Sequence, residues 1–313
     1  MTAPKPTHLL TILIALGAAA CSPAPPVVSM PAVPDAQPKL KGTCPAFEIQ
    51  NLDAHSAAQF LAVVCNVNVI MVGQGQPISL KQTQQQAASD TIKALADAAG
   101  LQTGTYQGQH QLAWLAPKGH SAPTRGGLAI SNTSINTQLL GVSAANVMKL
   151  LGKEGDFKVT STIEGELTSI TQNVTVGDFV EVLGGLSGAN MVFDAEGRVL
   201  NMNGASLPEI QRPELASCPL KDNPHLSTAN RYCQDLAQMR LAAISHHPDR
   251  PQLLLTHPEE YSHVLVQGDD IETPSVGWRL TRIGPGAQAT FTTNTGKGIE
   301  MVKLLEAKVT PQP

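Results

Sequence analysis

The five cysteines are the residues of this 313-residue chain that are best suited to chemistry. Cys21 follows the N-terminal apolar run discussed below and is left out of the pairing. Four thiols remain, and an even number of cysteines favours their pairing into disulfides in an oxidising compartment. Four cysteines allow three connectivities. We favour the local ones, because each pair then stays within one segment: Cys44–Cys65 and Cys218–Cys233. The alternative leaves Cys65 as a buried free thiol at the end of an apolar helix.

Four of the nine histidines lie close together in the sequence and are the candidate metal ligands: His246, His247, His257 and His263. A metal site would need two or more of them to converge with a carboxylate such as Glu259 or Glu260. Residues 246–251 are typical of a hairpin loop, so exposed loop histidines are the favoured interpretation. The chain has no Cys-x-x-Cys motif and no close Cys/His spacing that would predict a zinc site.

No motif in the chain demands an enzyme. The Gly-x-Ser-x-Gly turn that carries a serine nucleophile does not occur. The glycines at 73 and 75 lack the strand-to-helix context of a phosphate loop. Lys and Arg number 21 against 25 Asp and Glu, with no basic stripe, which disfavours nucleic-acid binding. We therefore expect no enzymatic activity, no cofactor, no metal and no nucleic-acid partner.

An apolar run of signal-peptide length, residues 9–20, begins the chain. It ends in Ala18-Ala19-Ala20-Cys21 and resembles a bacterial lipoprotein signal, with Ala18 where leucine is usual. The resemblance implies a signal peptide over 1–20 and a lipid on Cys21. The alternative is ordinary cleavage near Ala20. Residues 22–38 contain six prolines and one charge, which predicts an extended tether over 21–43.

Two stretches, residues 44–116 and 134–204, share one predicted order: strand, helix, two strands, helix, two strands. Ser56 and Ser143, near the starts of the first helices, lie 87 residues apart. Gly100 and Gly188, at the ends of the second helices, lie 88 residues apart. Two nearly equal offsets indicate a duplicated module, although two copies are too few for a solenoid.

The spacing of hydrophobic residues along the chain predicts the positions of the strands and helices. In the first copy the predicted strands are residues 47–52, 67–71, 77–80, 101–106 and 111–115. In the second copy they are residues 135–140, 157–159, 167–174, 189–193 and 199–202. Thr175 and Asp178 are typical of a capping box that opens the last helix. Gly184 and Gly185 lie inside that helix, so we expect it to be short or kinked.

The repeated unit resembles the short N-terminal domain that is shared by secretins and TonB-dependent receptors. The resemblance lies in an apolar strand before Ser56-Ala57-Ala58, in the helix end at residues 95–102, and in the counterpart of that end at residues 183–190. It implies an α+β module. Residues 117–133, which are rich in Gly and Pro, are expected to link the two copies.

A proline-containing linker, residues 205–234, separates the copies from a different pattern over residues 235–306, with a tail at 307–313. Short apolar or alternating runs there predict a small all-β sandwich: residues 252–256, 262–267, 278–283, 287–292 and 300–305. The strand order, the turn at Gly268-Asp269 and the strand from Gly277 to Ile283 resemble the periplasmic β-domain of PilP-type lipoproteins and the homology region of type II secretion components. This resemblance implies binding to the N-terminal domain of a secretin.

Alternating apolar residues on two strands of this sandwich are the candidate partner-binding residues: Val264, Val266, Trp278 and Leu280. Val264 and Val266 share one strand face, and Trp278 and Leu280 share another. Trp278 is either a core residue or an interface anchor, and alternating apolar neighbours favour the core. We expect an apolar groove between the two sheets of the sandwich.

The sequence therefore predicts an α+β fold, with two duplicated βαββαββ modules followed by the sandwich. The predicted function is that of a lipid-anchored periplasmic assembly protein. Its partner would be a secretin, or the inner-membrane connector, of a type IV pilus or type II secretion-like machine. Ser22 after Cys21 favours the outer membrane, whereas PilP-type proteins are assigned to the inner membrane. The rivals are a signalling protein and a cell-wall-binding lipoprotein, and two Trp with three Tyr supply few aromatic residues for glycan binding.

Overall fold

The protein has a mixed α+β fold, as predicted, with an all-β region near its C-terminus. The computed structural model describes residues 40–303 except 124–125, 161–162, 205, 209–229, 233–234, 258–262, 274–275, 285–287 and 294–298. Cys21, Cys218 and Cys233 lie outside the described residues, so the anchor and the second disulfide stay predictions. No described helix is long and apolar enough to cross a membrane.

Four α-helices of 12 residues each and one 3-10 helix lie in this part of the chain. The α-helices are α1 (Ala54–Cys65), α2 (Ala88–Ala99), α3 (Ala144–Gly155) and α4 (Val176–Ser187), and the 3-10 helix is Leu236–Gln238.

The predicted strands occur in the predicted order, with bounds that mostly shift by one or two residues. Four further short strands were not predicted, at residues 43–44, 86–87, 230–231 and 270–272. Before residue 200 the strands are β1 (Thr43–Cys44), β2 (Phe47–Leu52), β3 (Asn68–Val72), β4 (Ile78–Gln82), β5 (Gln86–Ala87), β6 (Leu101–Gln107), β7 (Gln111–Pro117), β8 (Ser134–Ser143), β9 (Lys158–Val159), β10 (Glu166–Thr175), β11 (Asn190–Asp194) and β12 (Val199–Asn203). After it they are β13 (Asn230–Arg231), β14 (Arg240–Ser245), β15 (Gln252–Thr256), β16 (His263–Val266), β17 (Asp270–Glu272), β18 (Gly277–Gly284), β19 (Gln288–Thr293) and β20 (Ile299–Lys303).

The fold divides into two compact units that are each discontinuous in sequence. The first unit contains Val67–Gly73 and Thr103–Glu209. The second contains Lys41–Asn66, Gln74–Gln102 and Ile210–Pro313. Strands from residues 44–116 therefore contribute to both units. The duplication itself stays a prediction.

The core of the first unit lies between a five-stranded sheet and helices α3 and α4. The strand order is β6-β7-β3-β10-β8, in which β3 and β7 are parallel and β10 is antiparallel to both of its neighbours. Ile70, Trp114 and Leu167 on the sheet pack in one cluster with Met148 of α3 and Phe179 of α4. A smaller sheet, β11-β12-β9, completes this unit.

A second five-stranded sheet, β16-β15-β14-β2-β4, is antiparallel throughout and belongs to the second unit. Its central strands come from opposite ends of the sequence, since Ile49 of β2 pairs with Ala243 of β14. Arg240 reinforces this junction by donating to the carbonyl oxygens of Gln50 at 2.9 Å and Asn51 at 2.8 Å. Burial lowers the pKa of Arg240 from its ordinary value.

The C-terminal region of the second unit is a sandwich of this sheet and the sheet β13-β17-β18-β19-β20. The side chains between the two sheets are buried and form one cluster: Tyr232, Leu236, Met239, Leu241, Ile244, Leu253, Leu255, Leu265, Ile271, Trp278, Leu280, Ala289 and Phe291. The space in which we expected an apolar groove is thus filled by core side chains.

The helix ends follow the capping chemistry that the sequence indicates. Gly100 and Gly188 end α2 and α4 in the left-handed conformation, at φ of 73° and 67°. Thr175 caps α4, because its Oγ1 accepts from the main-chain nitrogen of Asp178 at 3.0 Å. The other half of the predicted capping box is replaced, because the Asp178 carboxylate accepts from the main-chain nitrogen of Gln109. Helix α1 begins earlier than expected, because Asp53 caps it and accepts from the main-chain nitrogen of Ser56 at 2.9 Å.

Helix α4 continues through Gly184 and Gly185, so it is not shortened by them. Both glycines let another segment approach the helix closely. A Cβ at Gly184 would lie 2.1 Å from the Sδ of Met191, and one at Gly185 would lie 2.6 Å from the Cα of Pro123. These glycines therefore allow close packing at some cost in helix propensity.

Candidate protein-interaction sites

Strand β16 forms one end of the five-stranded sheet of the second unit. Leu265 points into the sandwich core and is buried. Val264 and Val266 lie on the other face of the strand and are half-buried. These two of the four predicted partner-binding residues therefore lie on a strand that pairs with only one neighbour, β15, within the described chain.

The turn after β16 is the predicted Gly-Asp turn, and it fixes the end of this strand. Asp269 accepts through Oδ2 from the main-chain nitrogen of Val266 at 2.9 Å. Gly268 has φ of 99°, which a residue with a Cβ rarely adopts. Its nitrogen donates to the carbonyl of Leu280 at 2.7 Å, and the nitrogen of Leu280 donates to the main-chain carbonyl of Asp269 at 2.9 Å. The turn thereby joins β16 to β18 of the facing sheet.

Trp278 and Leu280, the other two predicted residues, lie in the sandwich core. Trp278 is 9% exposed and Leu280 is fully buried, and both belong to the cluster between the two sheets. The favoured core interpretation of Trp278 agrees with this placement. The four residues are on two different sheets. Only the valines lie outside the sandwich core, and they are half-buried on the face of the sheet against which α1 packs.

A buried carboxylate in the first unit, which the sequence analysis did not single out, holds part of the predicted linker. Glu181 of α4 is 3% exposed. The main-chain nitrogens of Leu128 and Gly126 donate to its Oε1 at 2.7 Å and its Oε2 at 3.1 Å. The hydroxyl of Tyr106 donates to the same Oε2. These donors offset the cost of burying a charge.

The linker continues along α4 as a strap, which we define as Pro123 together with residues 126–133. The main-chain nitrogens of Gly177 and Val176, in the first turn of α4, donate to the carbonyls of Ser131 at 3.1 Å and Thr133 at 2.9 Å. Such nitrogens have no partner inside the helix. The strap therefore satisfies the helix N-terminus and leads directly into β8.

A second carboxylate, that of Asp178, lies beside the first on α4. Its Oδ2 accepts from the main-chain nitrogen of Gln109 at 2.8 Å, in the loop between β6 and β7. A Cβ at Gly108 would lie within 2.2 Å of this carboxylate, so a larger residue there would displace the Asp178 side chain. Asp178 and Glu181 thus attach two separate loops to one helix.

The signal for Glu181 is present in the sequence. Residues 179–183 read Phe-Val-Glu-Val-Leu, which places one acid inside an apolar run. A glutamate is rarely buried unless it has partners, so this pattern indicates a buried hydrogen-bonded carboxylate. The pattern does not identify the hydrogen-bond donors. Two of them, the main-chain nitrogens of Gly126 and Leu128, lie in a segment whose composition predicts a linker, and the third, the Tyr106 hydroxyl, lies in β6.

Cys44 and Cys65 form a disulfide, as predicted, and this bond joins β1 to the end of α1. Both residues are buried. The buried amide of Gln82 supports the same corner by donating to the carbonyls of Cys44 and Pro45, each at 2.9 Å.

The candidate metal ligands are divided between the two ends of β15. His246 and His247 lie in the loop between β14 and β15, whereas His257 follows β15 and His263 begins β16. The Nδ1 of His247 accepts from the main-chain nitrogens of Asp249 and Arg250, each at 3.2 Å. This histidine therefore shapes the hairpin loop. Among the residues that the structure describes, no group of three His, Cys, Asp or Glu side chains is placed to hold a metal ion.

Comparison with known proteins gives no relative for this chain. No family model, no curated protein and no solved structure matches it.

Proposed function

We propose that this protein is a lipid-anchored periplasmic assembly protein. Its partner is the N-terminal region of a secretin, or the inner-membrane connector, in a type IV pilus or type II secretion-like machine. The resemblances of residues 44–116 and 134–204 to secretin N-terminal domains, and of residues 235–306 to the PilP-type β-domain, support this partner. The apolar run before Cys21 and the proline-rich tether support the anchor.

The observation that carries the proposal is the outer position of β16 with its two half-buried valines. An outer strand presents unpaired main-chain groups that an extended strand of another protein can satisfy. Val264 and Val266 add apolar side chains on the face away from the sandwich core. The Gly-Asp turn fixes one end of the strand, which lowers the entropy lost when a partner binds.

The Cys44–Cys65 disulfide supports the compartment. Structural disulfides persist in oxidising compartments such as the bacterial periplasm and are rare in the cytosol. Both cysteines are buried, so the disulfide has a structural role within the second unit.

A binding assay with the whole protein tests the proposal. The probe is the purified periplasmic N-terminal region of the secretin from the same bacterium, immobilised and presented with the protein. We expect binding by the wild type and at least tenfold weaker binding by Val264→Glu, because an apolar contact becomes a charge that must be desolvated.

Val192→Glu is the matched control, since Val192 is also a half-buried valine on an outer strand, β11. This variant should bind like the wild type. The secretin assignment fails if the wild type does not bind the probe. If Val264→Glu and Val192→Glu weakened binding to the probe equally, the contact could not be assigned to β16.

A further inference from the structure

Strand β8 is the longest outer strand of the described sheets and carries no charge. It has 10 residues, Ser-Ile-Asn-Thr-Gln-Leu-Leu-Gly-Val-Ser, and within the described chain it pairs with β10 alone. Unprotected strands at a sheet edge tend to pair with another strand, and natural proteins block them with charge, proline or short length. Strand β8 has neither charge nor proline.

Other outer strands carry one of these protections or are interrupted. Strands β4, β11 and β20 contain the charged residues Lys81, Asp194 and Glu300. Strand β16 has four residues, and β1, β5, β9 and β13 have two each. Strand β6 is uncharged but has Gly104 at its centre, which weakens a strand. Strand β8 also contains a glycine, Gly141, but this glycine lies beyond the first seven residues. Those seven residues are the longest uncharged stretch on an outer strand of the described sheets that has no glycine or proline.

The regular part of β8 itself is its first seven residues, 134–140, although the facing β10 has one extra residue between Thr171 and Val174, where Asn173 has φ of 57°. Beyond it the strand bulges, since Val142 pairs with Leu167 but Leu139 pairs with Ser169. Gly141 in this bulge has φ of 48°. Thr137 is held at the centre of the regular part, because its Oγ1 lies 2.7 Å from the Oγ of Ser169 and 2.8 Å from the Oγ1 of Thr171.

We infer that β8 pairs antiparallel with β8 of a second copy of this chain, about a two-fold axis at Thr137. In this register Ile135 lies opposite Leu139 twice, on the face that packs toward the helices. Asn136 lies opposite Gln138 twice on the other face, where the amide nitrogen of Asn136 can donate to Gln138 while its Oδ1 accepts from the main-chain nitrogen of Asn173 at 2.8 Å. Each kind of cross-strand pair is favourable, and no like charges meet.

The pairing partner of β8 is a second copy of this chain, because the residues of β8 complement one another in that register. Symmetric association uses one surface on both copies and closes after two. The two sheets then join into one of 10 strands, which is within the usual size of an open sheet. This inference goes beyond the proposed function and does not depend on a secretin.

The register gives a charge-swap experiment. The oligomeric state of the purified full chain is measured by sedimentation over a range of concentrations. The wild type should dimerise, and Asn136→Lys/Gln138→Lys should dimerise about tenfold more weakly or worse, because lysines then oppose each other twice. Asn136→Lys/Gln138→Glu should recover the dimer, because each lysine then opposes a glutamate of the other copy.

Gln84→Lys/Gln86→Lys is the matched control, because it adds the same charge at exposed positions outside β8. It should dimerise like the wild type. A wild type that stays monomeric at all concentrations overturns the inference. A dimer that is insensitive to the lysine pair, or that the lysine–glutamate pair does not recover, also overturns it, since the contact or its register would then lie elsewhere. Circular dichroism of each variant establishes that it is folded.

Discussion

The carboxylate of Glu181 replaces water as the acceptor for two main-chain nitrogens and one hydroxyl. Glu181→Leu should therefore lower the free energy of unfolding by about 2–4 kcal/mol, because these buried donors lose their partner. Tyr106→Phe removes one donor and should cost about 1 kcal/mol. Urea denaturation measures both values, with Glu196→Leu at an exposed position as the control.

Amide hydrogen exchange at Gly126 and Leu128 should also become faster in Glu181→Leu, because the strap is released from α4. If Glu181→Leu were no less stable than Glu196→Leu, the carboxylate would not be what holds the strap.

Trp278 allows a second experiment at the residue scale. Its burial in the sandwich core predicts that Trp278→Ala lowers the free energy of unfolding by about 3–5 kcal/mol through cavity formation. Arg279→Ala, at the neighbouring exposed position, should have little effect. Thermal and urea unfolding give the comparison. A stable Trp278→Ala variant that has lost partner binding would instead make the tryptophan an interface anchor.

At the scale of elements, the two glycines of α4 should respond differently to the same substitution. An alanine inside a helix is ordinarily more stable than glycine by about 1 kcal/mol. Gly184→Ala should keep part of this gain, because the flexible Met191 side chain can move away. Gly185→Ala should lose it, because the new methyl group meets the main chain of Pro123 in the strap.

Urea unfolding and limited proteolysis of the strap distinguish the two variants. We expect faster cleavage within residues 123–133 for Gly185→Ala only. Equal stabilisation by both alanines would show that the main chain of the strap can move away from residue 185 at Pro123 with little cost in free energy.

Local pattern predicted most elements, because side-chain period and helix caps are properties of neighbouring residues. The strand at residues 252–256 and the helix ends at Gly100 and Gly188 agree with the structure. The pairing of β2 with β14 was not predictable in this way, since nothing local specifies a partner about 190 residues away. The strap was missed for the same reason, because its acceptor, Glu181, lies 53 residues beyond Leu128.

At the scale of the whole molecule, the predicted C-terminal β-domain shares a sheet with residues near the N-terminus. A fragment of residues 235–313 would leave β14 without β2 and expose the apolar face that α1 covers. We expect this fragment to show no cooperative thermal transition by circular dichroism. Co-expression with residues 41–102 should give a complex that co-purifies, because that segment supplies the missing strands and helices. Cooperative unfolding of the fragment alone would contradict the sharing.

The anchor is also tested on the intact molecule. Wild-type protein should fractionate with membranes, and Cys21→Ser should release it into the soluble periplasmic fraction, because the lipid is attached through that thiol. Ser22→Ala leaves the thiol in place and should stay with the membranes. A wild type that is already soluble removes the anchor from the proposal.

Because Ile49 pairs with Ala243, this sheet cannot be completed until late in the synthesis of the chain. A ribosome that adds about 5–20 residues per second needs about 10–40 seconds to travel from one strand to the other. During that interval β2 has been made but β14 has not. The apolar residues of β2 that are buried in the complete fold are then exposed to water unless another surface covers them: Phe47, Ile49 and Leu52. A chain that stalls or is cut before residue 240 would leave the early half of the second unit as a target for chaperones and proteases.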